Sequence, residues 1–325
     1  MSPPASSVFA LGVNYPWLNY AHDFGASPTG HFGLSLGESR EVVERDFAEI
    51  RETGASVVRW FLFGDGRSGF LSENGIPLRA DSLLLKDTAA LLAIAERFDL
   101  KVCLSLIDYL WLQDHGDQQS IHANERVLQF AAGREAFLDR VLIPMFSEFR
   151  AHPALFAWEI SNEPEWAIHE FHRDPAARMH FSDFRAFARE IASAVHEEAD
   201  VPVTLGSARL MWVRAWMELG LDFYQAHYHP ASERETKSTL AESLRAAELL
   251  DRPLWLGELP ARDVSVPDYS LGDALNLCLD AGLYGAAVWR WTKPEPAGTD
   301  RAIGQVEPAV LRDWTSSKGG ATKIA

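Results

Sequence analysis

The order of apolar patterns along this chain predicts a (β/α)8 TIM barrel, and three observations carry that prediction. Eight short runs rich in β-branched and aromatic residues alternate with longer segments of helical period, the signature of repeated βα units around a parallel sheet. No Pro/Gly/Ser-rich linker, low-complexity tract or short repeat interrupts the series, so residues 1–325 read as one domain. A chain of 325 residues exceeds the roughly 100–200 residues of an average domain, but it suits a barrel, which takes about 250 before its loops are lengthened. The competing architecture, an open doubly wound sheet, wants a glycine-rich phosphate turn after an early strand, and no such pattern occurs.

Taken in order, the first strand runs from Phe9 to Asn14, followed by a long connection, Pro16 to Arg40, and a helix, Glu41 to Thr53, that closes on Gly54. The second strand, Ser56 to Phe63, contains VVRWFLF; period-two alternation sets Arg59 and Phe61 on one face and Trp60 on the other, against the helices. A second long connection, Gly64 to Lys86, precedes the third strand, Lys101 to Asp108. Helices at Arg134 to Arg150 and Ser182 to Ala199 flank the fourth strand, Leu155 to Asn162, and the fifth, Val203 to Ser207, leads into a helix from Ala208 to Leu219. After the sixth strand, Phe223 to His229, Thr239 with Glu242 three residues later makes a capping box for a helix from Ala241 to Leu250. The seventh strand, Pro253 to Glu258, a helix at Ser270 to Ala281 and the eighth strand, Gly285 to Trp291, complete the series. Barrel chemistry sits at the C-terminal ends of the strands, and connections as long as the first two usually shape a cleft there.

Composition narrows the partners. Hydrophobic residues make up 47% and charged residues 23%, enough apolar material for a sizeable core and far from a disordered or collagen-like chain. Thirty Lys plus Arg against 46 Asp plus Glu give a formal charge of −16, which repels a phosphate backbone and an anionic membrane surface alike, so neither nucleic acid nor membrane is an expected partner. Cys103 and Cys278, each among apolar residues, make neither a disulfide scaffold nor a metal motif. The opening MSPPASSVFALGVNYPW has no basic segment followed by an apolar stretch, so a cytoplasmic location is expected.

Polar and aromatic residues collect where the strands stop: Arg59 on the second, Asn162 and Glu163 in FAWEISNEPEW on the fourth, His227 and His229 in YQAHYHP on the sixth, Glu258 in LWLGELP on the seventh and Trp289 in VWRW on the eighth. One charged residue at a strand end is commonly a surface ion pair, but polar and aromatic residues together at the ends of five strands of one barrel mark a site. Glu163 and Glu258, on strands four and seven, lie across the mouth from one another. Two carboxyls facing across a cleft are what glycoside hydrolysis needs, one protonated to assist the leaving oxygen and the other ionised to attack or to activate water. The fixed charge of Arg59 is expected to hold Glu258 ionised, and Asn162 is placed to donate to a sugar hydroxyl.

WEISNEPE on strand four and GELP on strand seven resemble the acid/base and nucleophile motifs of the retaining glycoside hydrolases of clan A, especially family 5. VVRWFLF resembles that family's second strand with its Arg, GVNYPWL the first strand of the β-mannanase-like members, LSLIDYLW their third and DFYQAHYHP their sixth. The resemblance implies a barrel enzyme that works without a cofactor on a β-linked oligosaccharide or glycoside of the mannan or glucan type. It implies Glu163 as general acid/base and Glu258 as nucleophile, with Arg59, Asn162 and His227 in support and Trp289 under the sugar at the cleaved bond. Two departures stand out: the Tyr expected two residues after His227 is His229, and the His that many cellulases carry after strand three is missing.

The chain also has 11 tryptophans, whose flat faces stack on the C–H faces of pyranose rings. Besides Trp289, Trp17, Trp111 and Trp166 follow strand ends and are candidates for sugar contact. Two other classes stay open on the residues alone. His227, His229 and Glu258, with Asp108, supply donor types for Zn²⁺ or Mn²⁺ in a metal-dependent barrel hydrolase or isomerase. A non-catalytic sugar-binding barrel is the other, although such a protein would usually have lost one of the two carboxylates.

Overall fold

Eight parallel strands close a barrel in the computed structural model, which describes residues 8–27, 30–113, 127–171, 178–230, 239–245, 249–262, 269–291 and 305–318. The barrel strands are β1 (Ala10–Asn14), β4 (Val57–Phe61), β7 (Lys101–Asp108), β8 (Leu155–Asn162), β9 (Val203–Ser207), β10 (Tyr224–His227), β11 (Leu254–Pro260) and β12 (Gly285–Trp289). They pair in sequence order, and β12 returns to β1 in parallel, with Ala10 opposite Gly285 and Val13 opposite Val288. Helices α1 (Gly37–Glu52), α2 (Ser82–Arg97), α3 (Ala131–Phe137), α4 (Ile143–Glu148), α5 (Phe181–Glu198), α6 (Leu240–Leu244), α7 (Leu271–Asp280) and α8 (Pro308–Ser317) accompany them.

Apolar residues fill two compartments. The larger lies between strands and helices, where Trp60 turns outward, stacks on Tyr15 at 4.3 Å and packs against Phe47 of α1, as the alternation predicts. The smaller is a separate cluster of Ala10, Val57, Cys103, Phe156, Ala157, Phe223, Trp255 and Ala287, drawn mainly from the beginnings of strands. It forms an apolar floor, so the polar residues further along the same strands stand where water is scarce and charges interact strongly.

Both long connections carry structure that local periodicity did not reveal. The first holds a two-residue pair, β2 (Ala26–Ser27) and β3 (Gly30–His31), and α1 starts earlier than predicted, at Gly37. Buried Asp23 and Asp87 pin it: Asp23 accepts from the Leu18 and Asn19 amides and from Trp60 Nε1, and Asp87 accepts from the Gly25 and Ser35 amides. The second contains a hairpin, β5 (Phe70–Glu73) with β6 (Ile76–Ala80), before Asp81 caps α2. The capping box of Thr239 and Glu242 forms as predicted and starts α6; residues 246–248 of the expected helix lie outside the described residues.

The predicted α-helix at Ala208 to Leu219 is a correction: a 3₁₀ helix spans Leu210–Trp216. Its buried residues Leu210, Val213 and Trp216 recur every three positions, the period of that tighter helix. Arg185 of α5 donates to the Ala215 carbonyl and, at 2.6 Å, to that of Met217, satisfying acceptors that another helical turn would have used.

Candidate active site

Arg59 sits inside the barrel, fully buried, and its five N–H donors make five bonds. Nε and Nη2 grip the two oxygens of Glu159 at 2.6 Å each. Nη1 donates to Glu258 Oε1 at 2.7 Å and to Asn14 Oδ1 at 2.9 Å, and Nη2 also reaches Asn162 Oδ1 at 2.7 Å. Burial opposes its charge, but Glu159 and Glu258 outweigh that and raise its pKa above the ordinary range. The planar fork of a guanidinium suits this bidentate task, which a lysine could not perform.

Glu258 lies at the mouth end of β11, where the register with β10 shifts between Ala226 and His227, bringing His227 opposite it. His229 Nε2 stands 2.9 Å from its Oε2, and His227 Nδ1 is 3.5 Å from Oε1. Burial alone would raise its pKa; His227, the hydrogen bond from His229 and the Arg59 cation together hold it down to about 2. The expectation that Arg59 keeps Glu258 ionised is therefore only part of the cause, since Arg59 divides its charge with Glu159.

Glu163 is built differently. Its backbone is left-handed, φ 47° and ψ 45°, a conformation that costs a non-glycine residue about 1–2 kcal/mol. Its amide donates to the Gly206 carbonyl at 2.7 Å, and Pro164 opens a 3₁₀ turn immediately after it. Two residues on, buried Glu165 accepts from Ser207 Oγ (2.5 Å), the Ala208 amide (3.0 Å) and Trp216 Nε1 (2.6 Å), tying the turn to the end of β9. The Glu163 carboxyl meets His227 Nδ1 at 2.7 Å and accepts from Trp166 Nε1 at 2.8 Å. Gly206 must lack a side chain, because a Cβ there would lie 2.5 Å from Glu159 Oε1 and 2.8 Å from Gln225 Nε2.

One carboxyl oxygen of Glu163, one of Glu258 and a ring nitrogen of His227 lie within 4.8 Å of one another. The three could in principle ligate a metal, but the two histidines do not converge: His227 Nδ1 turns to Glu163 and His229 Nε2 to the far oxygen of Glu258. Arg59, a permanent cation 2.7 Å from Glu258, further disfavours a second positive charge at that carboxylate.

Two aromatic groups touch the charged cluster, Phe61 under the Arg59 guanidinium and Trp166 bonded to Glu163. Trp17, partly buried, lies 5.9 Å from Phe61, and Phe61 lies 6.3 Å from Trp289. Trp166 meets Trp212 edge-on at 5.5 Å, with the Arg209 guanidinium over both rings. Trp111 is elsewhere, a correction to its place among the sugar-contact candidates. It is 1% exposed and packs among Phe63, Phe70 and Phe137, its ring against Gly66, where any side chain would collide with it. Sequence reasoning missed Glu159 and Asn14 as partners of Arg59, although Glu159 shares the inward face of β8 with Ala157 by period two.

Two carboxyls this close at the mouth of a (β/α)8 barrel, one beside a permanent cation, are the arrangement that glycoside hydrolysis requires. No protein-family model matches the chain. It is 31% identical over 163 residues to a mannan endo-1,4-beta-mannosidase of Mytilus edulis, covering 50% of this chain and 41% of that enzyme, so the match spans less than half of that relative. It is 27% identical to the enzyme of the same name from Cryptopygus antarcticus, over 98% of this chain and 90% of that one. The solved endo-1,4-beta-mannanase of Eisenia fetida shares the fold, with a TM-score of 0.76 at 21% identity over 96% of this chain and 91% of that chain. These similarities and the paired carboxyls together liken the chain to the β-mannanase-like glycoside hydrolases.

Proposed function

We propose that the chain is a retaining endo-β-1,4-mannanase in which Glu258 is the nucleophile and Glu163 the general acid/base. The observation that carries the mechanism is the approach of the two carboxyls to within 4.8 Å, which suits the roughly 5–5.5 Å of retaining enzymes and leaves no room for the water that inverting enzymes keep at about 6.5–9.5 Å. Glu258, ionised down to about pH 2, attacks the anomeric carbon while Glu163 gives its proton to the departing oxygen. Glu163, now a carboxylate, takes a proton from water; that water attacks the same carbon and Glu258 leaves. The chain of rings from Trp17 through Phe61 to Trp289, with Phe61 against Arg59, supports sugar stacking, and Trp166 lies against Glu163. Mannan as substrate rests on the relatives above.

Incubation with β-1,4-mannan and mannohexaose, followed by proton NMR of the first products, tests both parts. Internal cleavage with the β-anomer formed first is expected. First formation of the α-anomer overturns retention, and cleavage of another β-glycan in place of mannan overturns the substrate.

A further inference from the structure

We propose that Asp108 is a positioning residue for this reaction, acting through Asn162 to aim an amide N–H at the hydroxyl next to the reacting carbon of the sugar. The inference deepens the glycosidase reading and rests on it. Asp108 ends β7, and the register pairs it with Asn162 at the end of β8. Its side chain is buried, with Oδ1 accepting from the Leu110 amide and Oδ2 from Asn162 Nδ2, both at 2.8 Å. The Asn162 amide is held from both ends, since its Oδ1 takes the Arg59 bond at 2.7 Å. A carboxamide has one acceptor oxygen and two N–H donors, so this clamp fixes which way the group faces and leaves its second N–H, on the residue preceding Glu163, for the sugar.

The choice of a carboxyl at position 108 is costly. Burial, together with the nearby Glu163 and Glu258, pushes its pKa up to about 7 against the two hydrogen bonds it accepts. Among the described residues no Lys or Arg bonds it. A Ser or Asn would cap the turn at Leu110 equally well. What neither supplies is two acceptor oxygens in one plane, one for Leu110 and one for Asn162. An Asn at 108 must confront one of those donors with its own NH₂, and a Ser is too short to serve both. The carboxyl is therefore explained by the second bond, the one to Asn162. Hydrogen bonds to the sugar 2-hydroxyl strengthen as the oxocarbenium-like transition state forms, so a fixed donor there accelerates the reaction more than it tightens binding.

The test compares an aryl β-mannobioside with its analogue lacking the 2-hydroxyl on the sugar at the cleaved bond, and reads the ratio of the two kcat/KM values. Asp108→Ala is expected to shrink that ratio about tenfold, mostly through kcat. Asn162→Ala shrinks it at least as much, and adding Asp108→Ala to Asn162→Ala changes it no further. Should Asp108→Ala not fold, as judged by its thermal transition, the near-isosteric Asp108→Asn serves instead and is also expected to lower the ratio. A folded Asp108 variant that is slower on both compounds yet keeps the parent ratio overturns the inference and leaves the glycosidase reading standing. A parent that cleaves neither compound nor mannan overturns both.

Discussion

Glu258 and Glu163 are the same residue type less than a turn of helix apart in space, yet they are held by opposite means. Glu258 ends a strand and meets three groups that favour its charge: Arg59, His227 and His229. Glu163 stands past the end of its strand in a left-handed backbone, and its carboxyl meets a neutral indole N–H and the one imidazole it shares with Glu258. Position of the backbone sets one group, and field sets the other. The contrast shows how a single fold gives two carboxyls of one residue type different surroundings.

Removing each carboxyl breaks the comparison most directly. Glu258→Ala is expected to lower kcat by about 10⁴-fold or more on every substrate, whereas Glu163→Ala spares formation of the glycosyl-enzyme from dinitrophenyl glycosides, whose leaving group needs no proton. Pre-steady-state release of the phenol separates the two, and equal losses on activated and unactivated substrates would remove Glu163 from its role.

Arg59→Ala attacks the cationic side and leaves Glu159 buried without its partner, at an expected cost of about 3–5 kcal/mol in urea unfolding. The pH dependence has a defined sign. Because the Glu258 pKa is depressed from about 4.5 to about 2, its contacts stabilise the fold fully above pH 4.5 and are lost as pH falls through 2. The gap between parent and variant therefore narrows from pH 5 to pH 2; a constant gap would show that Glu258 draws nothing from Arg59.

The smallest effect sharpens the comparison. His229→Tyr keeps a donor within reach of Glu258 but replaces a group that ordinarily titrates near 6.5 with one near 10. The expected outcome is measurable activity with one inflection fewer in kcat/KM between pH 5 and 8. Superimposable profiles of parent and variant would assign His229 a purely structural part.

The barrel and its two carboxyls were legible because strand period and strand-end position are local properties. Partnerships were less so. Glu159 stood in plain view inside the apolar FAWEISN, where a buried acid demands a cation, and Arg59 is the charged residue of VVRWFLF. Matching them requires knowing that strands two and four face one interior. Trp111 misled because its slot is made by Gly66, a contact between two loops that no periodicity encodes. The 3₁₀ helix after β9 depends on Arg185, which reaches it from α5.

The reach of Arg59 also has a meaning in the time order of synthesis. Arg59 and Glu159 are 100 residues apart, so their ion pair becomes available once half the barrel has left the ribosome. Glu258 follows 199 residues after Arg59, when β12 is the one barrel strand still to come. Synthesis thus supplies the cradle before the carboxyl that the cradle will hold, and the barrel can close only when the last strand reaches the first.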